Sequence, residues 1–210
     1  MARFTGTTRL EAFSDGVFAI AITLLILDIK VPRDVVLPET LGAALAHQWP
    51  SYLAFVTSFV TILIMWVNHH RLFTHIGHCD DRLLFYNGLL LLGIVLVPFP
   101  TALIAEYLGH PGETTAAMIY NGTFLVIAVF FNVLWRSASI GARLLRTDHD
   151  PEAVRHLTTS YRYGPLSYMV AMLLALVSVT ASVALNLALA LYFALPSERA
   201  ARVSSGRAGH

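Results

Sequence analysis

Arg9-Leu10-Glu11-Ala12-Phe13-Ser14-Asp15-Gly16 leads directly into Val17-Phe18-Ala19-Ile20-Ala21-Ile22-Thr23-Leu24-Leu25-Ile26-Leu27-Asp28, so one carboxylate and one hydroxyl open an otherwise apolar run. A bilayer core needs roughly 20 mostly apolar residues per helix, and the spacing predicts a membrane helix over 10–29. Arg3 and Arg9 precede it, but no small-residue cleavage site follows, so the segment reads as a retained helix. Pro32 and a charged, proline-bearing connector through Glu39 and Pro50 end it. An unpaired carboxylate costs on the order of 2.5 to 3.5 kcal/mol at the centre of a membrane helix, and less near its ends. Asp15 therefore needs a partner from elsewhere in the chain.

The remainder of the chain has the same character. Of 210 residues, 56% are hydrophobic and only 13% charged, against roughly 25% charged in a typical soluble domain. A single all-α membrane domain over 1–195 follows, with helices at about 10–29, 51–70, 83–108, 115–135, 165–178 and 182–195 and a disordered tail over 196–210. Pro98 and Pro100 predict a kink in the third helix, and 136–162 reads as a polar connector lying in water. The apolar block from Pro165 to Leu195 is long for one span and short for two. Charge decides between them, because cytoplasmic loops collect Lys and Arg. Six spans put Arg3, Arg9, Arg71, Arg82, Arg136, Arg143, Arg146, Arg155, Arg162, Arg199, Arg202 and Arg207 on one side and leave only Lys30 and Arg33 opposite. Both termini are then cytoplasmic. One lysine beside 13 arginines, with a net charge of +1, gives no polybasic run, so nucleic acid is excluded as a partner. Cys79 is the lone cysteine and permits neither an internal disulfide nor a cysteine-based zinc site. No cofactor is implied.

By this topology Arg9, Ser14 and Asp15 share a depth with Trp66, Asn68, His69, His70 and Arg71 at the end of the second helix. A carboxylate and hydroxyl facing indole, imidazole and guanidinium donors predict a polar clamp between the two helices. Beyond the clamp, Ile20, Thr23, Leu24 and Leu27 fall at i, i+3, i+4 and i+7, one face of a helix. Such a stripe is ordinarily packing, and a threonine within it ordinarily bonds its own preceding turn.

The segment Arg9 to Gly16 resembles the R-x-x-x-F-S-D signature of the transmembrane protein 175 family, the endolysosomal potassium channels and their prokaryotic relatives. W-V-N-H-H-R (Trp66 to Arg71) and V-P-F-P-T-A-L (Val97 to Leu103) are similar to that family's later segments, in the same order. The resemblance implies a single-repeat subunit of six helices, a homotetramer, and a pore built by the first helix of each copy in a prokaryotic plasma membrane. It also implies hydrophobic rings at Ile20, Leu24 and Leu27 with a Thr23 hydroxyl layer, and a potassium-permeable channel with modest preference over sodium. Arg9, Phe13, Ser14, Asp15, Trp66, Asn68 and His70 would hold the pore helix in register. No T-V-G-Y-G filter sequence is present, so selection would rest on the constriction.

Two rival readings come from other classes. His69, His70, His75 and His78 resemble a metal box, but His47 and His110 fall on the opposite side and the rest are scattered, too few to complete an iron site. The enzymatic reading is set aside. Asp15 with His69 and His70 could instead relay protons in a secondary transporter. Midplane breaks paired in two repeats would mark such a protein, and Pro98 and Pro100 have no counterpart in another half.

Overall fold

A computed structural model describes residues 6–32, 40–148 and 150–194. The 196–210 tail, Arg3, Arg33 and Glu39 lie outside the described residues. Among the described residues every regular element is helical: α1 (Thr8–Leu24, extended by a 3-10 turn Leu25–Asp28), α2 (Leu41–His47), α3 (Trp49–His75) and α4 (Asp81–Leu96) are followed by α5 (Pro98–Tyr107), α6 (Glu113–Ser139), α7 (Pro151–Ala175) and α8 (Val179–Ala194). Among the described residues, four units are long and apolar enough to cross a membrane, over Thr8–Asp28, Trp49–His75, Asp81–Tyr107 and Glu113–Ala142. α7 and α8 stand outside that group, α8 because its apolar run, Val179–Leu191, is short.

α1 lies against α3 and α4, α6 packs along α4 and α7, and α8 closes on α3 and α7. Phe18, Ala21 and Leu25 carry α1 into a core shared with Ile62, Leu72, Leu90 and Ile127. Gly93 is required where α4 meets α6, since a Cβ there would stand 2.7 Å from Ile127 Cγ1.

At Pro98 and Pro165 another donor substitutes for the missing N–H. Pro98 separates α4 from α5, and the carbonyl of Ile94, which it cannot serve, accepts from the Val97 amide at 3.2 Å. Pro165 lies inside α7. The carbonyl four residues earlier, on Tyr161, accepts instead from Asn132 Nδ2 of α6 at 2.7 Å. A side-chain amide thus completes a helical ladder across a helix interface.

Several sequence expectations need correction. α3 continues past His70 to His75 and α6 past Trp135 to Ser139, because polar residues extend both helices beyond their apolar runs. The connector 136–162 is half helix: Asp150 accepts from the Glu152 amide at 2.8 Å, Pro151 occupies the first turn, and α7 begins there. Val154, Leu157 and Tyr161 then give this polar helix a partly buried face packed on the core. Thr40 caps α2 through the Ala43 amide at 3.2 Å, within a stretch read as an irregular connector. The last two helices part just before Val179, near the expected break at Ser178 to Ser182.

The α3–α4 and α6–α7 connections are tied at one end of the bundle. Ile76 and Leu145 form an isolated antiparallel bridge, with Gly77 N donating to Leu144 O at 2.9 Å and Arg146 N to His75 O at 3.0 Å. Beside it Asp80 caps α4 through the Leu83 amide at 2.9 Å and pairs with Arg143 at 2.7 Å. Burial opposes the Asp80 charge, but the Leu83 amide and the Arg143 guanidinium outweigh it and hold the carboxyl below its ordinary range. Burial first, and then Asp80 and Asp81, push the Cys79 thiol up.

Candidate functional site

α1 has two unlike faces. Ser14, Phe18 and Ala21 are buried against the subunit, whereas Phe13 is 65% exposed, Ile20 60%, Leu24 39% and Leu27 68%. Ala12, Gly16, Ala19 and Thr23 are exposed as well. The helix tightens to a 3-10 turn at Leu25, which brings Leu24 and Leu27 close to eclipsed, since residues three apart align in that geometry. Thr23 Oγ1 donates to the Ile20 carbonyl at 2.9 Å, the local bond expected of a helical threonine.

Behind this face the clamp is built from two separate contacts. Trp66 Nε1 donates to Asp15 Oδ1 at 2.8 Å, joining α1 to α3. One residue earlier, Ser14 Oγ donates to the Leu10 carbonyl at 2.8 Å and accepts from Asn87 Nδ2 of α4 at 3.0 Å. Asn87 Oδ1 is then left to face His69 Nε2 at 2.9 Å. Because an amide oxygen only accepts, His69 Nε2 carries a hydrogen and donates. Ser14, His69 and Asn87 are all buried, and Phe18 and Phe73 enclose the imidazole with ring centroids 5.4 and 4.5 Å away. Every polar group of this buried triangle that the geometry shows is paired, as a site away from water demands.

Of the residues expected at this depth, Ser14, Asp15 and Trp66 bond α1 to its neighbours and His69 bonds Asn87, whereas His70 stacks on Trp66 at 6.2 Å. Asn68 contributes its main-chain carbonyl, which accepts from Tyr161 Oη at 3.0 Å. Arg9 is exposed and makes no ion pair among the described residues, and Phe13 points away from the subunit. Asn87 escaped the sequence reading. Its signal was there, since an amide inside the apolar run of α4 demands a partner just as Asp15 does.

The same geometry bears on both rivals. Asp15 is bonded to an indole and His69 to an amide, and among the described residues no hydrogen bond joins the carboxylate to either imidazole. Among the described residues no group of three His, Cys, Asp or Glu side chains could hold a metal ion.

A bundle of long apolar helices, locked by buried polar contacts at one end and showing an unpartnered apolar face on its first helix, defines a multi-pass helical membrane protein. A profile described as Endosomal/lysosomal potassium channel TMEM175 matches residues 9–98. A potassium channel of Chamaesiphon minutus is 53% identical over 193 residues, which cover 91% of this chain and 95% of that protein. The crystal structure described as a lysosomal potassium-selective channel TMEM175 homolog from Chamaesiphon minutus superposes with a TM-score of 0.81, at 51% identity, covering 90% of this chain and 96% of the other. The human protein named Endosomal/lysosomal proton channel TMEM175 is 33% identical over 138 residues, 62% of this chain and 27% of that longer protein. The chain belongs to the TMEM175 family.

Proposed function

We propose that the protein is a potassium-permeable cation channel, a homotetramer whose subunits of six membrane helices set four copies of α1 around a central pore. The observation that carries this reading is the divided character of α1: one face is bonded to α3 and α4, while Ile20 and Leu27 are mostly exposed and Leu24 partly so. In the tetramer those three residues form stacked hydrophobic rings, with Thr23 adding an oxygen layer near the narrowest point. An apolar constriction is hard to wet when narrow and passes the more easily dehydrated potassium ahead of sodium when it widens. Ala12, Gly16 and Ala19, exposed on the same helix, suit the close approach of a neighbouring α1. Arg9 and Phe13 complete the clamp against that neighbour. The relative from Chamaesiphon minutus is named a potassium channel, which agrees with the reading.

The apolar part of α7 after Pro165, together with α8, supplies the fifth and sixth spans. Arg71, Arg82, Arg136, Arg143 and Arg146 gather at the end of the bundle where Asp15 meets Trp66, and Lys30 lies at the far end of α1. That asymmetry supports a prokaryotic plasma membrane with both termini cytoplasmic.

Purified protein in liposomes tests the activity. A potassium gradient is expected to dissipate faster than a sodium gradient, without saturation, and native mass spectrometry is expected to find four copies. Because the human relative is named a proton channel, proton flux belongs in the same assay. Saturating flux strictly coupled to protons would favour the transporter reading using Asp15 and the His69/His70 pair.

A further inference from the structure

A cavity of about 20 Å³ lies where α3, α5, α6 and α8 converge, lined by Ala54, Thr57, Leu108, Tyr120, Val183 and Asn186 among others. Two of its lining residues each carry a buried polar atom, Thr57 Oγ1 and Asn186 Oδ1, with no hydrogen-bond partner among the described residues. Both residues are at least nine-tenths buried, at 3% and 5% exposure. Neither the clamp nor the pore face uses them.

The bonding around Asn186 fixes which of its amide atoms is left without a partner. Ser182 Oγ donates to the Ala171 carbonyl at 2.8 Å, so its oxygen accepts from Asn121 Nδ2 at 3.0 Å. Asn121 Oδ1 is left as an acceptor and takes Asn186 Nδ2 at 2.9 Å. The amide of Asn186 is thereby oriented, and its Oδ1 remains as an acceptor in need of a donor. Across the cavity Thr57 supplies a hydroxyl, and Tyr120 Oη, already sharing a hydrogen with Ser58 at 3.0 Å, has a lone pair to spare. No charged side chain lines the space. One water needs about 10 to 15 Å³ of such volume and two to four polar partners.

We infer that this cavity is a binding site for one ordered water molecule, which donates to Asn186 Oδ1 and bonds the Thr57 hydroxyl, joining α3 to the Asn121–Ser182–Asn186 chain that links α6, α7 and α8. The water couples the helix that clamps the pore helix to the C-terminal pair. Its partners require it because an orphaned polar group in an apolar interior costs more than the water's immobilisation.

A crystal structure of the full chain, at a resolution that shows other buried waters, is expected to show solvent density within hydrogen-bond distance of both atoms. Thr57→Val is expected to abolish that density and lower the unfolding temperature in detergent by about 2 to 4 °C, and Thr57→Ser to restore both. Three results overturn the inference: a direct Thr57–Asn186 hydrogen bond, xenon entering native crystals at this position as it enters dry apolar cavities, or Thr57→Val unfolding at the native temperature. If Thr57→Val fails to fold, the density in the native and Thr57→Ser structures decides alone.

Discussion

Trp66 Nε1 donates to Asp15 Oδ1 at 2.8 Å across 51 positions of sequence. It fixes the rotation of α1 about its own axis, because the carboxylate and the buried Ser14 and Phe18 can be satisfied together in only one orientation. The same rotation turns Ile20, Leu24 and Leu27 away from the subunit.

Trp66→Phe and Asp15→Ala are each expected to destabilise the protein, and the double variant by less than their sum. A thermal-unfolding cycle in detergent is expected to give a coupling of about 1 kcal/mol. Asp15→Asn, which retains the acceptor, should behave closer to native. Additive losses would show that the two side chains do not act as a pair.

Asn87 joins Ser14 and His69, so Asn87→Leu strands the His69 imidazole in the core and leaves Ser14 only its bond to the Leu10 carbonyl. At about 1 to 3 kcal/mol for a stranded group, the expected loss is about 2 kcal/mol. His69→Leu combined with Asn87→Leu removes the orphan and should recover part of that loss. Reversible unfolding in mixed detergent measures both.

The Asn132 amide stands in for the amide that Pro165 lacks. Asn132→Leu is expected to cost about 1 to 2 kcal/mol, since the Tyr161 carbonyl loses its donor. Pro165→Ala restores a main-chain N–H at that point and should make Asn132→Leu nearly neutral. Equal losses in the two backgrounds would separate Asn132 from the proline.

Acid stability should depend on Asp80. Its carboxyl is held below the ordinary value, so the stabilisation is fully present above the unfolded value of about 3.9 and is lost as pH falls through the lower folded value. Asp80→Asn keeps a cap for α4 but removes the ion pair with Arg143. The native protein should lose unfolding temperature more steeply than this variant as pH falls below the ordinary carboxylate value, as differential scanning fluorimetry across a series of acid buffers would show.

What sequence made legible follows from where the physical cost was high. A carboxylate in an apolar run had to find a donor, and Asp15 found Trp66. Prolines in helix three had to interrupt the ladder, and α4 yields to α5 at Val97. Amides within apolar helices need partners, and Asn121, Asn132 and Asn186 each bond between helices. Asn87 showed the same need for a partner, but which partner stayed hidden, because Ser14 and His69 lie on two other helices and nothing local states which helix faces which. The choice of His69 over His70 turns on rotation of α3 by a single residue, which a run of adjacent histidines leaves open. The amphipathic first half of α7 went unread because its charged residues masked the Val154, Leu157 and Tyr161 spacing.

The central claim, that ions pass along the exposed face of α1, is tested most directly by potassium and sodium flux into liposomes holding the native chain, Ile20→Asn or Leu24→Ala. Wetting or widening the constriction should make flux faster or less selective in both variants. Native protein that passes neither ion, or variants whose flux and selectivity match the native chain, would contradict it and place any conduction elsewhere in the protein.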